Sequence, residues 1–278
     1  MTRRIRLAIS TCPNDTFAFH GLITRSVDWR GLEFEIDLVD IEQLNERLVR
    51  DDFDVIKVSF HAALTVADRI VVLPSGSAIG FGVGPLLLSA SADTKPSSSE
   101  QLTLCPGRLT TAAMLFNLFH HRTSRVEHVV FSDILPRLAA GLADFGVCIH
   151  EGRFTWQSHG LHLVEDLGSR WETETGGPLP LGGIVASRRL ARDTIAAAQA
   201  VIHDSLLLAL RDRSTPLPTM RRHAQEFDDA VLMRHVDLYV NEWTLDLGTT
   251  GATALSALSD RTARVGLWHG ACLTVFAA

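Results

Sequence analysis

Short apolar runs typical of strands alternate with helix-patterned segments through the first part of the chain, and this alternation constrains the fold more than any other feature. The predicted elements are strands over 5–10, 32–39 and 53–59, and helices from about Thr16, over 41–49 and over 62–69. Such a βαβαβα order predicts a mostly parallel sheet with covering helices.

The alternation resumes after the polar segment 91–100, which is the best candidate for a linker. Further strands are predicted over 85–90, 102–105, 126–131, 145–149 and 182–186, and further helices over 111–120, 133–141, 188–211, about 224–239 and 249–263. The chain then leaves a first lobe near 86–91, builds a second, and returns near 184–187.

This order predicts an α/β, two-lobed, periplasmic-binding-protein-like (type II) hinge fold with a ligand cleft between the lobes. The larger α/β lobe is discontinuous and comprises 1–88 plus 188–278, and the smaller lobe comprises 89–187.

Charge argues against two classes of partner. The 278 residues include 26 Lys and Arg against 32 Asp and Glu, a net charge of −6, without a basic tract. We therefore expect no nucleic-acid partner and no anionic membrane surface. The longest uncharged run, 70–92, is broken by proline and glycine residues, so loop and strand are predicted there rather than a membrane span.

Cysteine spacing and the first residues indicate the compartment. The four cysteines form no CxxC pair, so free thiols in a reducing compartment are expected and a zinc site is improbable. The apolar run after the first arginines is too short for a secretory signal, which predicts a cytoplasmic protein.

Polar residues cluster where predicted strands end, which is where open α/β sheets bind ligands. These candidates are Ser10, Asn14, Lys57, Ser59, Thr110, Thr111 and His150. Several of them lie at predicted helix N-termini, where backbone N–H groups and the helix dipole favour an anion. The pattern predicts a pocket for a small-molecule carboxylate.

Each candidate has a structural alternative. Thr110 or Thr111 can be only a helix N-cap, and for Asp15 the cap is the favoured interpretation. Lys57 is costly inside an apolar strand unless it is paired or lies at an exposed strand end. His150 has a side chain suited to general-base catalysis, but from the residues alone a hydrogen-bonded histidine at a strand end is the favoured interpretation.

Motifs along nearly the whole chain resemble those of the 1,4-dihydroxy-6-naphthoate synthase family of the futalosine route to menaquinone. The matching segments are 10–17 (STCPNDTF), 57–59 (KVS), 82–85 (GVGP), 106–108 (PGR), 110–112 (TTA), 149–151 (IHE), 153–154 (RF), 166–168 (DLG), Trp171, 178–182 (PLPLG) and 239–241 (YVN). The chain departs from the family pattern at Thr11, Leu109 and Gly152.

The resemblance implies a lyase that converts cyclic dehypoxanthine futalosine to 1,4-dihydroxy-6-naphthoate and dihydroxyacetone without metal or organic cofactor. It implies that His150 is the proton acceptor. It further implies that Lys57, Val58, Ser59, Thr111 and Ala112 bind substrate. The alternatives are chorismate dehydratase, a sister family of the same pathway, and a non-catalytic solute-binding protein for small anions.

Overall fold

A computed structural model describes residues 3–150, 152–224 and 228–277 of the chain. It divides the chain into two units, of which the first comprises 1–80 with 180–278 and the second comprises 81–179. The elements of the first stretch are β1 (Arg3–Ser10), α1 (Pro13–Ala18), α2 (His20–Ile23), β2 (Leu32–Val39), α3 (Ile41–Arg50), β3 (Val55–Ser59), α4 (Phe60–Leu64), β4 (Ile70–Val72) and β5 (Ala78–Gly80).

The second unit follows without interruption along the chain. Its elements are β6 (Leu86–Ser89), β7 (Leu102–Pro106), α5 (Thr111–Phe119), β8 (Arg125–Val129), α6 (Phe131–Ala139), β9 (Phe145–Cys148), α7 (Gly152–Thr155), a 3₁₀ turn (Trp156–His159), β10 (His162–Asp166) and α8 (Leu167–Thr175). The chain then returns through β11 (Leu179–Ser187), α9 (Arg192–Arg211), α10 (Leu217–His223), α11 (Asp229–Tyr239), α12 (Glu242–Leu245) and α13 (Gly248–Arg264).

The sheet of the first unit is mixed rather than mostly parallel. Its strand order is β2-β1-β3-β11-β4, and β5 also pairs with β11. β1 runs parallel to β2 and β3, as the βαβ pattern predicts, but β11 runs antiparallel to β3 and β4. The prediction of a mostly parallel sheet is therefore wrong for this part, because the returning strand enters the sheet in the opposite direction.

The core of the first unit forms between this sheet and the long helix α9. Ile5, Leu7 and Ile9 alternate along β1 and are buried with Val201 and Leu206 of α9. By length and composition alone α9 is apolar enough to cross a membrane. Its buried residues instead belong to this core, and a buried core helix meets the same criteria.

The sheet of the second unit has the order β10-β6-β9-β7-β8. Because β6 pairs with β9 and β10, it belongs to the second unit, and because β11 pairs with β3 and β4, it belongs largely to the first. The chain passes from the first unit to the second after residue 80 and returns after residue 179, whereas the predicted boundaries are 88 and 187.

Several element boundaries also differ from prediction. The first helix begins at Pro13 rather than near Thr16, because proline suits the first helical position. The helix predicted over 62–69 is the short α4, and the helix predicted from about 224 is observed from Asp229, with 225–227 outside the described residues. The sequence patterns did not predict β10 or α8.

Candidate active site

A buried ion pair joins two of the candidate strand ends of the first unit. Lys57 Nζ lies 2.7 Å from Asp15 Oδ1, and the two residues are only 4% and 2% exposed. The ammonium also donates to the carbonyl oxygen of Gly76 at 3.1 Å. The expectation that a mid-strand lysine needs a partner is confirmed, and the alternative of an exposed strand end is wrong.

The Asp15 carboxylate organises the turn after β1. It accepts a hydrogen bond from Ser10 Oγ at 2.5 Å and another from Asn14 Nδ2 at 3.1 Å. The N-cap residue of α1 is Cys12, so the helix-cap interpretation of Asp15 is wrong. The Asp15 carboxylate instead bonds Lys57, Ser10 and the side-chain amide of Asn14.

Asn14 connects this turn to α11. Its Oδ1 lies 3.0 Å from Nε2 of His235, whose ring packs on Tyr239 with centroids 4.6 Å apart. Because the amide nitrogen of Asn14 donates to Asp15, its oxygen is the acceptor, and His235 carries its proton on Nε2. This tautomer follows from the hydrogen-bond pattern.

Ser59 is held at the end of β3 by a single asparagine. Asn45 Oδ1 accepts from the Ser59 backbone N–H at 3.0 Å, and Asn45 Nδ2 donates to Ser59 Oγ at 3.2 Å. Val58 is fully buried and pairs with Gly183 of β11 in the sheet.

In the second unit, the threonine pair begins helix α5. Thr110 is the N-cap, and its Oγ1 accepts from the backbone N–H of Ala113 at 3.2 Å. Thr111 and Ala112 form the start of the first turn and are buried. The backbone N–H groups of a first helical turn cannot bond within the helix and favour an anion.

His150 lies in the turn that follows β9. It is half-buried, its ring centroid lies 4.6 Å from that of Phe131, and its backbone has a left-handed φ of 55°. Its carbonyl oxygen accepts from the Arg153 backbone N–H at 3.2 Å. Few non-glycine residues adopt this conformation, although histidine, asparagine and aspartate do so several-fold more often than the rest. Glu151 lies outside the described residues.

Other titratable groups are less suited to this chemistry. Burial raises the pKa of the Cys105 thiol, which keeps it protonated and a poor nucleophile. Burial lowers the pKa of His20, whose Nδ1 lies 2.8 Å from Thr219 Oγ1 inside the first unit. Within residues 3–150, 152–224 and 228–277, no group of three or more His, Cys, Asp or Glu side chains is arranged to hold a metal ion.

Gly152, one of the departures from the family pattern, is required by its surroundings. A Cβ atom at this position would lie 2.6 Å from Cys148 Sγ and 3.2 Å from Leu135 Cδ1. We expect Gly152→Ser to lower the free energy of unfolding by about 1–3 kcal/mol, as overpacking typically does. Urea denaturation measures this loss, and the added mutation Cys148→Ala should restore part of it.

Gly177→Ser is the matched control for this substitution, because the nearest atom to a Cβ there is Thr175 Oγ1 at 3.9 Å. An equal loss of stability in both glycine variants would contradict the steric explanation.

Sequence reasoning missed two supporting residues of the first unit. Asn45, on α3, holds Ser59, and His235, on α11, holds Asn14. His235 is 221 residues from Asn14 along the chain, and no local pattern connects the two. Asn45 lies inside an amphipathic helix and so escapes notice, although a buried asparagine there is itself a signal of a polar partner.

Solved structures define the class of fold. The chain matches protein AF1704 of Archaeoglobus fulgidus with a TM-score of 0.89 and 27% identity, covering 95% of this chain and 98% of that one. It also matches the ligand-binding component of an ABC-type import system from Staphylococcus aureus, with a TM-score of 0.71, 11% identity, and coverage of 97% and 94%. The periplasmic aliphatic sulphonate binding protein of Escherichia coli matches with a TM-score of 0.64, 12% identity, and coverage of 96% and 89%.

These matches confirm the predicted periplasmic-binding-protein-like fold class. At the level of sequence, residues 5–264 match a family model described as menaquinone biosynthesis. The chain belongs to this menaquinone biosynthesis family.

Two curated relatives share most of their length with this chain, and both are named 1,4-dihydroxy-6-naphthoate synthase. The protein of Streptomyces coelicolor is 37% identical over 95% of this chain and 94% of its own length. The protein of Thermus thermophilus is 41% identical over 91% of this chain and 92% of its own length.

Proposed function

We propose that the protein is a carbon–carbon lyase that converts cyclic dehypoxanthine futalosine to 1,4-dihydroxy-6-naphthoate and dihydroxyacetone in menaquinone biosynthesis. The observation that carries this proposal is the similarity, over more than nine tenths of the chain, to two relatives named as this synthase. A small-molecule carboxylate is then the partner of the site, and the cytoplasm is the place of a biosynthetic enzyme of this kind.

His150 is the general base in this proposal. Its imidazole removes an acidic C–H proton from the substrate, and electrons move toward an oxygen while the bond to the sugar-derived fragment breaks. Hydrogen-bond donors near that oxygen stabilise the developing negative charge. Formation of the aromatic naphthoate supplies the driving force for the cleavage.

The local geometry within each unit supports the proposed substrate-binding roles. Thr111 and Ala112 contribute the first turn of α5, and Ser59 contributes a hydroxyl that Asn45 orients. Lys57 acts through Asp15, because its ammonium is already engaged there. The paired Lys57 therefore preserves the turn that carries Ser10 and Asn14.

Turnover of the purified protein tests the proposal. Incubation with cyclic dehypoxanthine futalosine should yield 1,4-dihydroxy-6-naphthoate and dihydroxyacetone in equal amounts, measured by chromatography with mass detection. Chorismate, offered separately, distinguishes the chorismate dehydratase alternative. Binding of either compound by calorimetry without any product from folded protein would overturn the lyase and favour a solute-binding protein.

A further inference from the structure

The two terminal nitrogens of the Arg153 guanidinium bond groups of its own unit. Its Nη1 donates to the Gly84 carbonyl oxygen, and its Nη2 donates to the Gly82 carbonyl oxygen at 2.8 Å. Nη2 also lies 3.0 Å from Asp166 Oδ2, and both charged side chains are largely buried, at 14% and 21% exposure. The arginine thus bonds two carbonyls of the Gly-rich segment and has its charge balanced.

The segment that Arg153 holds, residues 82–84, is itself fixed from other sides. The Gly82 backbone N–H donates to Glu172 Oε1 at 2.7 Å. A Cβ atom on Gly84 would lie only 2.2 Å from the Cα of Gly168, so the two backbones touch. Segment 82–84 therefore forms a rigid support for the guanidinium.

Asp166 joins this support to helix α8. Its Oδ1 accepts from the backbone N–H groups of Gly168 and Ser169 at 2.9 and 3.1 Å, while its Oδ2 faces Arg153. One carboxylate thus caps a helix and neutralises the arginine. To bind a substrate anion, Arg153 would have to break its bonds to the Asp166 carboxylate and to the two carbonyl oxygens. Because breaking a buried ion pair is costly, we expect these bonds to persist.

Arg153 is three residues beyond His150, and its backbone N–H closes the turn on the His150 carbonyl. We infer that Arg153 is a positioning residue, which fastens the His150 turn to segment 82–84 and α8 and so fixes the direction of the imidazole. This inference rests on the proposed role of His150 as base. It assigns Arg153 no contact with the substrate carboxylate.

The test compares Arg153→Lys with wild type by steady-state kinetics and by NMR of the histidine ring protons. Lysine keeps the charge but cannot bond both carbonyls and Asp166 in one plane. We expect kcat to fall by about a hundredfold, the loss that small misplacement of a catalytic group produces, while KM changes by less than about threefold. The ring resonance of His150, assigned with a His150→Asn variant, should shift and titrate at a different pH.

Two further variants separate positioning from general damage. Asp166→Asn retains an oxygen to cap α8 but removes the charge facing Arg153, and it should alter the same His150 resonance. Arg137→Lys is the matched control, since Arg137 pairs with Glu127 in the same unit, with side chains 30% and 46% exposed. Its kinetics and His150 resonance should remain those of wild type.

The outcomes are distinct. A rise in KM with unchanged kcat in Arg153→Lys would show that Arg153 binds substrate and would overturn the inference. An unchanged His150 resonance in both Arg153→Lys and Asp166→Asn would also overturn it. If wild type gives no product, the proposed function fails, and the His150 resonance still decides whether Arg153 positions that ring.

Discussion

Replacing Lys57 with methionine should lower the free energy of unfolding by about 3–5 kcal/mol, because it leaves Asp15 as an uncompensated charge in the interior. Asp15 is 2% exposed, and among the residues that the structure describes its side chain would keep Ser10 and Asn14 as donors. Methionine is chosen because it conserves the length of the lysine stem. Urea denaturation followed by circular dichroism measures the loss.

An exposed ion pair of the same unit provides the control. Arg4 lies 3.1 Å from Glu35, with side chains 72% and 54% exposed, so Arg4→Met should cost no more than about 1 kcal/mol. The double variant Lys57→Met with Asp15→Asn should recover part of the loss, since it removes the buried charge. A loss of less than about 1 kcal/mol for Lys57→Met alone would contradict the buried pair.

Replacing His150 with asparagine should lower kcat by about a hundredfold to ten-thousandfold, the usual contribution of a general base. Asparagine is preferred to alanine because it tolerates the left-handed backbone that His150 adopts, so the turn can persist without the imidazole. Turnover of cyclic dehypoxanthine futalosine is measured alongside the thermal midpoint.

His162→Gln is the matched control, because His162 lies on β10 of the same unit and is exposed. Its kcat should remain that of wild type. If His150→Asn folds normally and keeps more than about a tenth of the wild-type rate, another group removes the proton.

Sequence periodicity correctly predicts the elements that show a single clear hydrophobic pattern. The alternation in β2 and the amphipathic pattern of α3 place these elements within a residue of their observed ends. The sequence does not predict the direction in which β11 pairs, because its apolar run is equally compatible with parallel and antiparallel neighbours. The sequence likewise does not show which sheet a strand joins, since that depends on pairing.

For the site, the sequence indicates which residues need partners but not which partners they find. The cost of burying Lys57 predicts a counter-charge, yet Asp15 resembles a helix cap because an acidic residue near a helix start usually is one. The role of His150 comes from family resemblance rather than spacing. The bonds of Arg153 to Gly82, Gly84 and Asp166 depend on tertiary packing, which local sequence patterns do not show.

The placement of β11 also has a consequence for synthesis of the chain. In the first sheet β11 lies between β3 and β4, so this sheet stays incomplete, with one edge of β3 unpaired, until residue 187 has left the ribosome. The second unit is one continuous segment that ends at 179, so all of its strands are available earlier. Synthesis from the N-terminus therefore allows the second unit to fold first. Until β11 is made, the unpaired edge of β3 is a surface at which the nascent chain can associate wrongly.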